Sequence, residues 1–277
     1  MKTIGFVILT WNSQKVIKNC LRSILDMNSA LLMPSIVVVD NGSEDETVAI
    51  IEDVFENSRD INTKLITLNY NTGTTYSRNL GIKFLLRHKI DYICVLDSDT
   101  EVNAAAIETL VEVLDSHPKC GIVGPRMHDR NEIYQESGRQ IPTLTEKMLK
   151  VLPLKALREK GNRLQSIIQD HGTGCAEVGY LMSACWVMRS SLIEKVGMLD
   201  ENIFYAPEDV DYCIRCWKNG LDVMYCYDAD ILHEWQRLSR KKVFSKHNYE
   251  HIKGLIYMFV KHKYVFNTDK IMNTSRR

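Results

Sequence analysis

Asp97-Ser98-Asp99 follows the apolar run Tyr92 to Leu96, and along extended backbone residues i and i+2 face the same side. Two carboxylates placed in this way converge on one hard cation. Oxygen ligands suit Mg²⁺ or Mn²⁺, ions that bridge a diphosphate and neutralise the charge that develops as it leaves. An acidic loop that only caps the next helix has the same local spelling. Position decides for the ligand reading, because open parallel sheets bind their ligands at the carboxyl ends of the strands. His233 closes the run Ala229 to Leu232 and is the one histidine expected beside a strand at that edge, which makes it a third ligand if it meets the aspartates.

Asp40 ends a second β-branched run and precedes a tight Asn41-Gly42 turn, where a carboxylate can accept hydrogen bonds from a nucleoside. Dehydrogenases use that position for ribose, but here Thr10-Trp11-Asn12-Ser13 follows the first strand where a glycine fingerprint would be required. Asn71 to Gly81 reads as a loop running into a helix, and its Arg78 could reach a phosphate or fix the aspartates, unless it lies on a solvated helix face. Pro207-Glu208-Asp209 opens a helix with the apolar stripe Val210, Cys213, Ile214 and Trp217. Capping would explain both acids; on the polar side of a buried helix either could instead act as a general base. Cys213 and Cys216 fall inside this helix with no second pair to complete a zinc site.

These residues need a scaffold, and the chain alternates strand and helix patterns that predict an α/β fold with a mostly parallel sheet. Strands are expected at Ile4 to Leu9, Ile36 to Asp40, Lys64 to Leu68, Tyr92 to Asp97 and Gly121 to Pro125, and regular structure returns with Ala184 to Met188. Ile17, Cys20, Leu21, Ile24 and Leu25 repeat at helical spacing, as do Ile107, Leu110, Val111 and Leu114. From Asp129 to about Gly174 the rhythm stops, and this basic, Leu-rich stretch with Pro142 and Pro153 reads as a substrate-facing insertion. With 277 residues, 45% of them hydrophobic and 25% charged, a large globular core is available and a disordered or fibrous chain is excluded. Lys plus Arg and Asp plus Glu both number 35, so charge does not point to nucleic acid. The eight cysteines sit mostly in apolar runs, as reduced core residues of a cytoplasmic protein do, and the N-terminus lacks a secretory pattern.

The ordered set Leu9-Thr10-Trp11-Asn12, Val39 to Ser43, Asn71 to Gly81, Leu96 to Asp99, Tyr180 to Arg189, Val196 to Asp200, Pro207 to Asp211 and Leu232-His233 resembles glycosyltransferase family 2, inverting enzymes of GT-A fold, in its rhamnosyltransferase-like branch. The resemblance implies transfer of rhamnose or another hexose from a nucleoside-diphosphate sugar to a saccharide or lipid-linked acceptor in surface polysaccharide synthesis. It implies donor contacts from Thr10, Asn12, Asp40, Asn41, Asn71, Arg78, Asp97 and Ser98. Mn²⁺ or Mg²⁺ would be held by Asp97, Asp99 and His233, and Asp209, ahead of Glu208, would be the base. Residues 1–127 would form the nucleotide-sugar half, 128–235 the acceptor half and 236–277 a basic helical tail. Thr74, Thr75 and Tyr76 stand where many relatives carry small residues, and Tyr180 to Cys185 lacks the glycine common before the alanine.

Two other classes remain open on the residues alone. A glycoside hydrolase also uses paired carboxylates but needs no nucleotide site. A non-catalytic carbohydrate- or partner-binding module on the same fold is the other, and intact Asp97, Asp99, Glu208 and Asp209 argue against it. Arg237 to Lys263 holds eight Lys or Arg against Glu250, interleaved with Phe244, Leu255, Ile256, Met258 and Phe259. That composition suits an anionic membrane surface, which would place the protein at the inner face of the cell membrane.

Overall fold

The computed structural model describes residues 1–58, 61–151, 155–166, 172–234 and 246–272. Strands β1 (Lys2–Thr10), β2 (Leu32–Asp40), β3 (Asn62–Thr67) and β4 (Tyr92–Asp97) alternate with helices α1 (Ile17–Leu25), α2 (Thr47–Glu56) and α3 (Thr74–Arg87). Next come β5 (Thr100–Glu101), α4 (Ala104–Ser116) and β6 (Cys120–His128), then β7 (Tyr134–Gln135), β8 (Gly138–Arg139), α5 (Leu144–Val151) and α6 (Lys155–Gln165). The chain continues through β9 (Cys175–Glu177), β10 (Tyr180–Leu181), β11 (Cys185–Arg189), α7 (Leu192–Val196), α8 (Glu208–Lys218), β12 (Asp222–His233), α9 (Lys246–His262) and α10 (Asp269–Met272).

One 10-stranded sheet runs β3-β2-β1-β4-β11-β6-β12-β5, with β7 on β6 and β9 on β12. The first four strands are parallel, and antiparallel β11 is inserted between β4 and β6. Period-two alternation sends the two sides of each strand into two cores. Ile4, Phe6 and Ile8 of β1 and Cys94 and Leu96 of β4 join the helices α1, α2 and α4 on one face. Val7, Ile93 and Val95 pack on the other face with α3 and α8. Strands buried on both faces explain the unbroken β-branched runs of the sequence.

Strand order reverses at β1 and β4, where Thr10 is opposite Asp40 and Leu9 opposite Asp97. Such a switch point opens a crevice at the carboxyl ends of the strands. Helix α3 enters beside it from Gly73, whose φ of +89° suits glycine, and a Cβ there would lie 2.3 Å from the Phe204 carbonyl oxygen.

Two expectations need correction. The stretch from Asp129 to Gly174 is not without rhythm: it holds β7, β8 and the packed pair α5 and α6. Its short elements and mixed charge hide the periodicity in the sequence; Pro153 lies outside the described residues. The apolar residues chosen in the C-terminal tail do not share an outer face. Met258 is buried and Leu255 and Phe259 pack against the second core, while Ile256 is exposed. Phe244 and the basic residues Arg237, Arg240, Lys241 and Lys242 lie outside the described residues.

Candidate active site

Asp97 is the last residue of β4, and a turn through Ser98 and Asp99 follows. The carboxylates therefore converge by the turn and not by strand alternation, and together with His233 they offer ligand atoms all within 4.8 Å of one another. His233 ends β12 and is buried, with its Nε2 3.4 Å from Asp99 Oδ1. On its other side Nδ1 is 2.7 Å from Gln135 Oε1, and Gln135 Nε2 donates to the His233 carbonyl at 2.9 Å. Because an amide oxygen only accepts, Nδ1 carries the proton, so in the neutral ring the Nε2 lone pair faces Asp99. Two acceptors facing each other call for a positive charge between them. Burial opposes protonation of His233, but the charges of Asp99 and Asp97 outweigh it and raise its pKa. Carboxylate oxygens with one oriented imidazole make a donor set that fits a divalent cation. β6 also ends in a histidine, which the sequence reading placed past the strand; His128 faces Asp230 at 3.5 Å and stands outside the cluster.

Arg78 is not on a solvated face. It is 2% exposed and donates to Asp97 Oδ1 at 2.6 Å, to the Ser183 carbonyl at 3.1 Å and to Glu208 Oε1 at 3.0 Å. Of the two roles open to it, the geometry realises the fixing of the acids: one guanidinium joins the end of β4 to the start of α8. Burial raises the pKa of Asp97, with the Asp99 charge adding to it and Arg78 opposing. Glu208 is likewise raised by burial and by Asp209, against Arg78.

The two acids that open α8 have different surroundings. Glu208 is buried and accepts from both Arg78 and Ser183 Oγ, the latter at 2.9 Å. Asp209 is half-buried, and its carboxylate takes the Val210 N–H at 2.8 Å and no other hydrogen-bond partner among the described residues. Burial raises its pKa, while Arg78, Lys147 and Arg139 pull the other way. The predicted stripe Val210, Cys213, Ile214 and Trp217 is buried and fixes the helix.

The remaining predicted residues line the same mouth but are differently engaged. Asp40 accepts the Ser43 N–H at 3.0 Å and its hydroxyl, so it shapes its own turn. Asn12, at φ 51°, accepts from Glu44 N at 2.9 Å. Asn41 is buried, with Oδ1 accepting from Thr72 N at 2.8 Å and Nδ2 donating to Asn71 Oδ1 at 3.1 Å; both amides brace the loop into α3. Thr10 is buried with no hydrogen-bond partner for Oγ1 among the described residues. Ser98 Oγ lies 2.9 Å from Ser13 Oγ, which ties the metal-type turn to the end of β1. Sequence reasoning missed Gln135, Ser183 and Ser13. Gln135 lies in the stretch read as an insertion, and an uncharged amide there carries no local signal.

The profile of the family described as Glycosyl transferase family 2 matches residues 6–197. Among curated proteins, the chain is 26% identical over 232 residues to the low-salt glycan biosynthesis hexosyltransferase Agl10 of Haloferax volcanii, covering 83% of this chain and 66% of that protein. It is 26% identical over 206 residues to an N-acetylglucosaminyl-diphospho-decaprenol L-rhamnosyltransferase of Mycobacterium tuberculosis, covering 72% and 66%. The chain thus spans slightly less than two thirds of the length of these relatives. Among solved structures, the mannosyltransferase PcManGT from Pyrobaculum calidifontis, in complex with GDP-Man and Mn²⁺, superposes with a TM-score of 0.63 at 15% identity over 98% of this chain and 68% of that one. The expected GT-A architecture therefore holds, and at that identity the likeness speaks to the fold alone.

Proposed function

We propose, because the chain belongs to glycosyl transferase family 2, that it moves a hexose from a nucleoside-diphosphate sugar to an acceptor hydroxyl with inversion at the anomeric carbon. The observation that carries this reading is the convergence of Asp97, Asp99 and His233 at the sheet mouth, beside a carboxylate, Asp209, that opens α8 and accepts only the Val210 N–H among the described residues. Asp97, Asp99 and His233 would hold Mn²⁺ or Mg²⁺, which supplies charge neutralisation to a leaving diphosphate. Arg78 keeps Asp97 aimed and sets Glu208 at a fixed distance from it. Glu208 is held by that pairing, so the acceptor proton falls to Asp209. A carboxylate with a raised pKa is the stronger base, and one that is fixed by a packed helix is ready to take the proton as the acceptor oxygen attacks. One displacement with base and leaving group on opposite sides inverts the centre.

Asp40 at the end of β2 and Thr10 at the end of β1 would meet the nucleoside, with Asn12, Asn41 and Asn71 shaping the loops around it and Ser98 holding the turn. The relatives' rhamnosyl and hexosyl activities support rhamnose or another hexose as the sugar and a saccharide or lipid-linked acceptor; the setting in this reading is surface polysaccharide synthesis at the inner face of the cell membrane. In this reading residues 1–127 serve the donor, 128–235 the acceptor and 236–277 the membrane side.

The test is thermal stabilisation by nucleoside diphosphates with and without Mn²⁺, followed by transfer assays with the nucleotide sugars that bind. Metal-dependent stabilisation and transfer with inverted stereochemistry are expected. Hydrolysis of glycosides with no stabilisation by any nucleoside diphosphate would establish the hydrolase reading instead.

A further inference from the structure

Helix α9 is amphipathic in a way the sequence composition does not show. Its inner side carries Met258, fully buried, and Gly254, where a Cβ would lie 2.2 Å from the Ala206 carbonyl oxygen. The helix is thus seated on the segment that leads directly into Glu208 and Asp209. Its outer side presents Tyr249, Ile252, Ile256 and Val260, exposed by 67, 58, 60 and 72%. At 100° per residue these four fall within an arc of roughly 80°, a continuous apolar stripe along the helix. Beyond the helix end, Phe266 is 68% exposed. Large apolar side chains grouped in this manner mark a surface that meets a partner.

The exposed charges around the stripe are mostly basic. Lys253 and Lys263 are exposed beside it, and Glu250, the one acid of α9, is paired with Lys253 at 3.8 Å. The α5 and α6 pair adjoins the end of α9, with Leu144 N donating to the Val265 carbonyl at 2.8 Å and Tyr264 Oη to the Pro142 carbonyl at 3.0 Å. That pair adds exposed Lys155, Arg158, Lys160 and Arg163 against Glu159, with Met148 and Leu164 exposed among them.

We infer that the outer face of α9, extended by the α5 and α6 pair, docks on the anionic headgroups of a lipid bilayer, with Tyr249, Ile252, Ile256 and Val260 entering the headgroup boundary. A helix lying in the interface plane needs this division into an apolar stripe and flanking cations. A second copy of the chain meets the same stripe less well, because a twofold contact would bring like charges together. The inference deepens the proposed reading by placing a lipid-linked acceptor beside Asp209, and it rests on that reading only for this acceptor, since docking itself needs no turnover. No described helix is long and apolar enough to cross a membrane, so the contact is at the surface.

Flotation of the full chain with phosphatidylcholine vesicles, with and without about 30% phosphatidylglycerol, tests it. Binding to the anionic vesicles is expected to exceed that to neutral ones by about tenfold at low salt and to weaken in 0.5 M salt, on the order of what screened headgroup attraction gives. The triple variant Ile252→Glu, Ile256→Glu and Val260→Glu should lose binding by at least ~10-fold while melting at the wild-type temperature and keeping its Mn²⁺-dependent response to nucleoside diphosphates. Equal flotation of variant and wild type would overturn the inference. So would a concentration-dependent dimer that the variant abolishes in a protein that binds neither vesicle. Loss of nucleotide response in the wild type would count against the catalytic reading and leave docking standing.

Discussion

Helix α8 carries two ionic clusters about one turn apart, and their charge balance differs. At its start, Glu208 and Asp209 join Asp97 and Asp99, four carboxylates that face Arg78 and the titratable His233, with Lys147 and Arg139 acting on Asp209. One turn on, Asp211 accepts from Arg215 Nε at 3.0 Å, Lys261 Nζ at 2.6 Å and His262 Nε2 at 2.8 Å, and Lys261 also reaches Asp200 at 2.6 Å. The second cluster is complete, with two carboxylates inside a ring of donors that fastens α9 to α8. The first is not, since among the described residues Asp99 has only the titratable His233 as an ion-pair partner, which leaves room for a positive charge of the kind a metal ion supplies. Both sites are built from the same residue types in the same helix. What separates a candidate binding site from a brace here is whether every acid finds its cation within the protein.

The comparison breaks most sharply at Asp99. Asp99→Ala should abolish sugar transfer and remove the Mn²⁺-dependent stabilisation by nucleoside diphosphates, while relief of crowding leaves the melting temperature unchanged or higher. A variant that is fully active, or a wild-type protein that is fully active in excess EDTA, would dissolve the distinction. The mirror experiment is Asp211→Ala, which leaves Arg215 and His262 without their buried acid and Lys261 with Asp200 alone, and should cost about 3–5 kcal/mol of stability in denaturant unfolding, with donor binding intact in the folded fraction. Loss of donor binding at full stability would instead make Asp211 part of the site.

Asp209→Asn should keep the fold and donor affinity and lower turnover by about 10²-fold, the common scale of general-base catalysis. Turnover near normal would transfer the role to Glu208. Gln135→Leu should weaken Mn²⁺ affinity by about 10-fold in calorimetric titration, because the ring of His233 would lose the partner that fixes its tautomer. Unchanged affinity would mean that Gln135 only packs.

The smallest effect is the response of the brace to acid. His262 Nδ1 lies 3.0 Å from Lys218 Nζ and Nε2 faces Asp211, so the neutral ring accepts from one and donates to the other. Burial lowers its pKa and the ammoniums of Lys218 and Lys261 lower it further, against the pull of Asp211. A histidine whose folded pKa is depressed binds fewer protons than the unfolded chain, so stability falls as pH drops below about 6.5. Asp211 is lowered despite burial by His262, Arg215 and Lys261, and its contribution is lost in turn as pH falls through the ordinary carboxylate range. Thermal melts from pH 7.5 to 5 should show a shallower decline in His262→Gln than in the wild type. Parallel curves would remove His262 as the source.

The sequence by itself determined the strands, the helical stripes and the carboxylates at strand and helix ends, because those follow from periods of 2 and 3.6 residues and from where apolar runs stop. In the first half the runs ending in Asp40 and Asp97 are short, apolar and buried along their length, and they admit one reading. The stretch from Asp129 to Gly174 was illegible because its strands are two residues long and its helices are only partly buried, so neither period develops. Tertiary structure alone decided the partners. Arg78 meets Glu208 across 130 positions and Gln135 meets His233 across 98, and nothing local in the chain records either contact. It also decided which of two adjacent acids is tied down: Glu208 and Asp209 are nearly equivalent as letters, and only the reach of Arg78 from α3 to the start of α8 gives one of them an arginine hydrogen bond. The outward turn of Ile252, Ile256 and Val260 has the same origin, since a helix has an exposed face only after something covers the other.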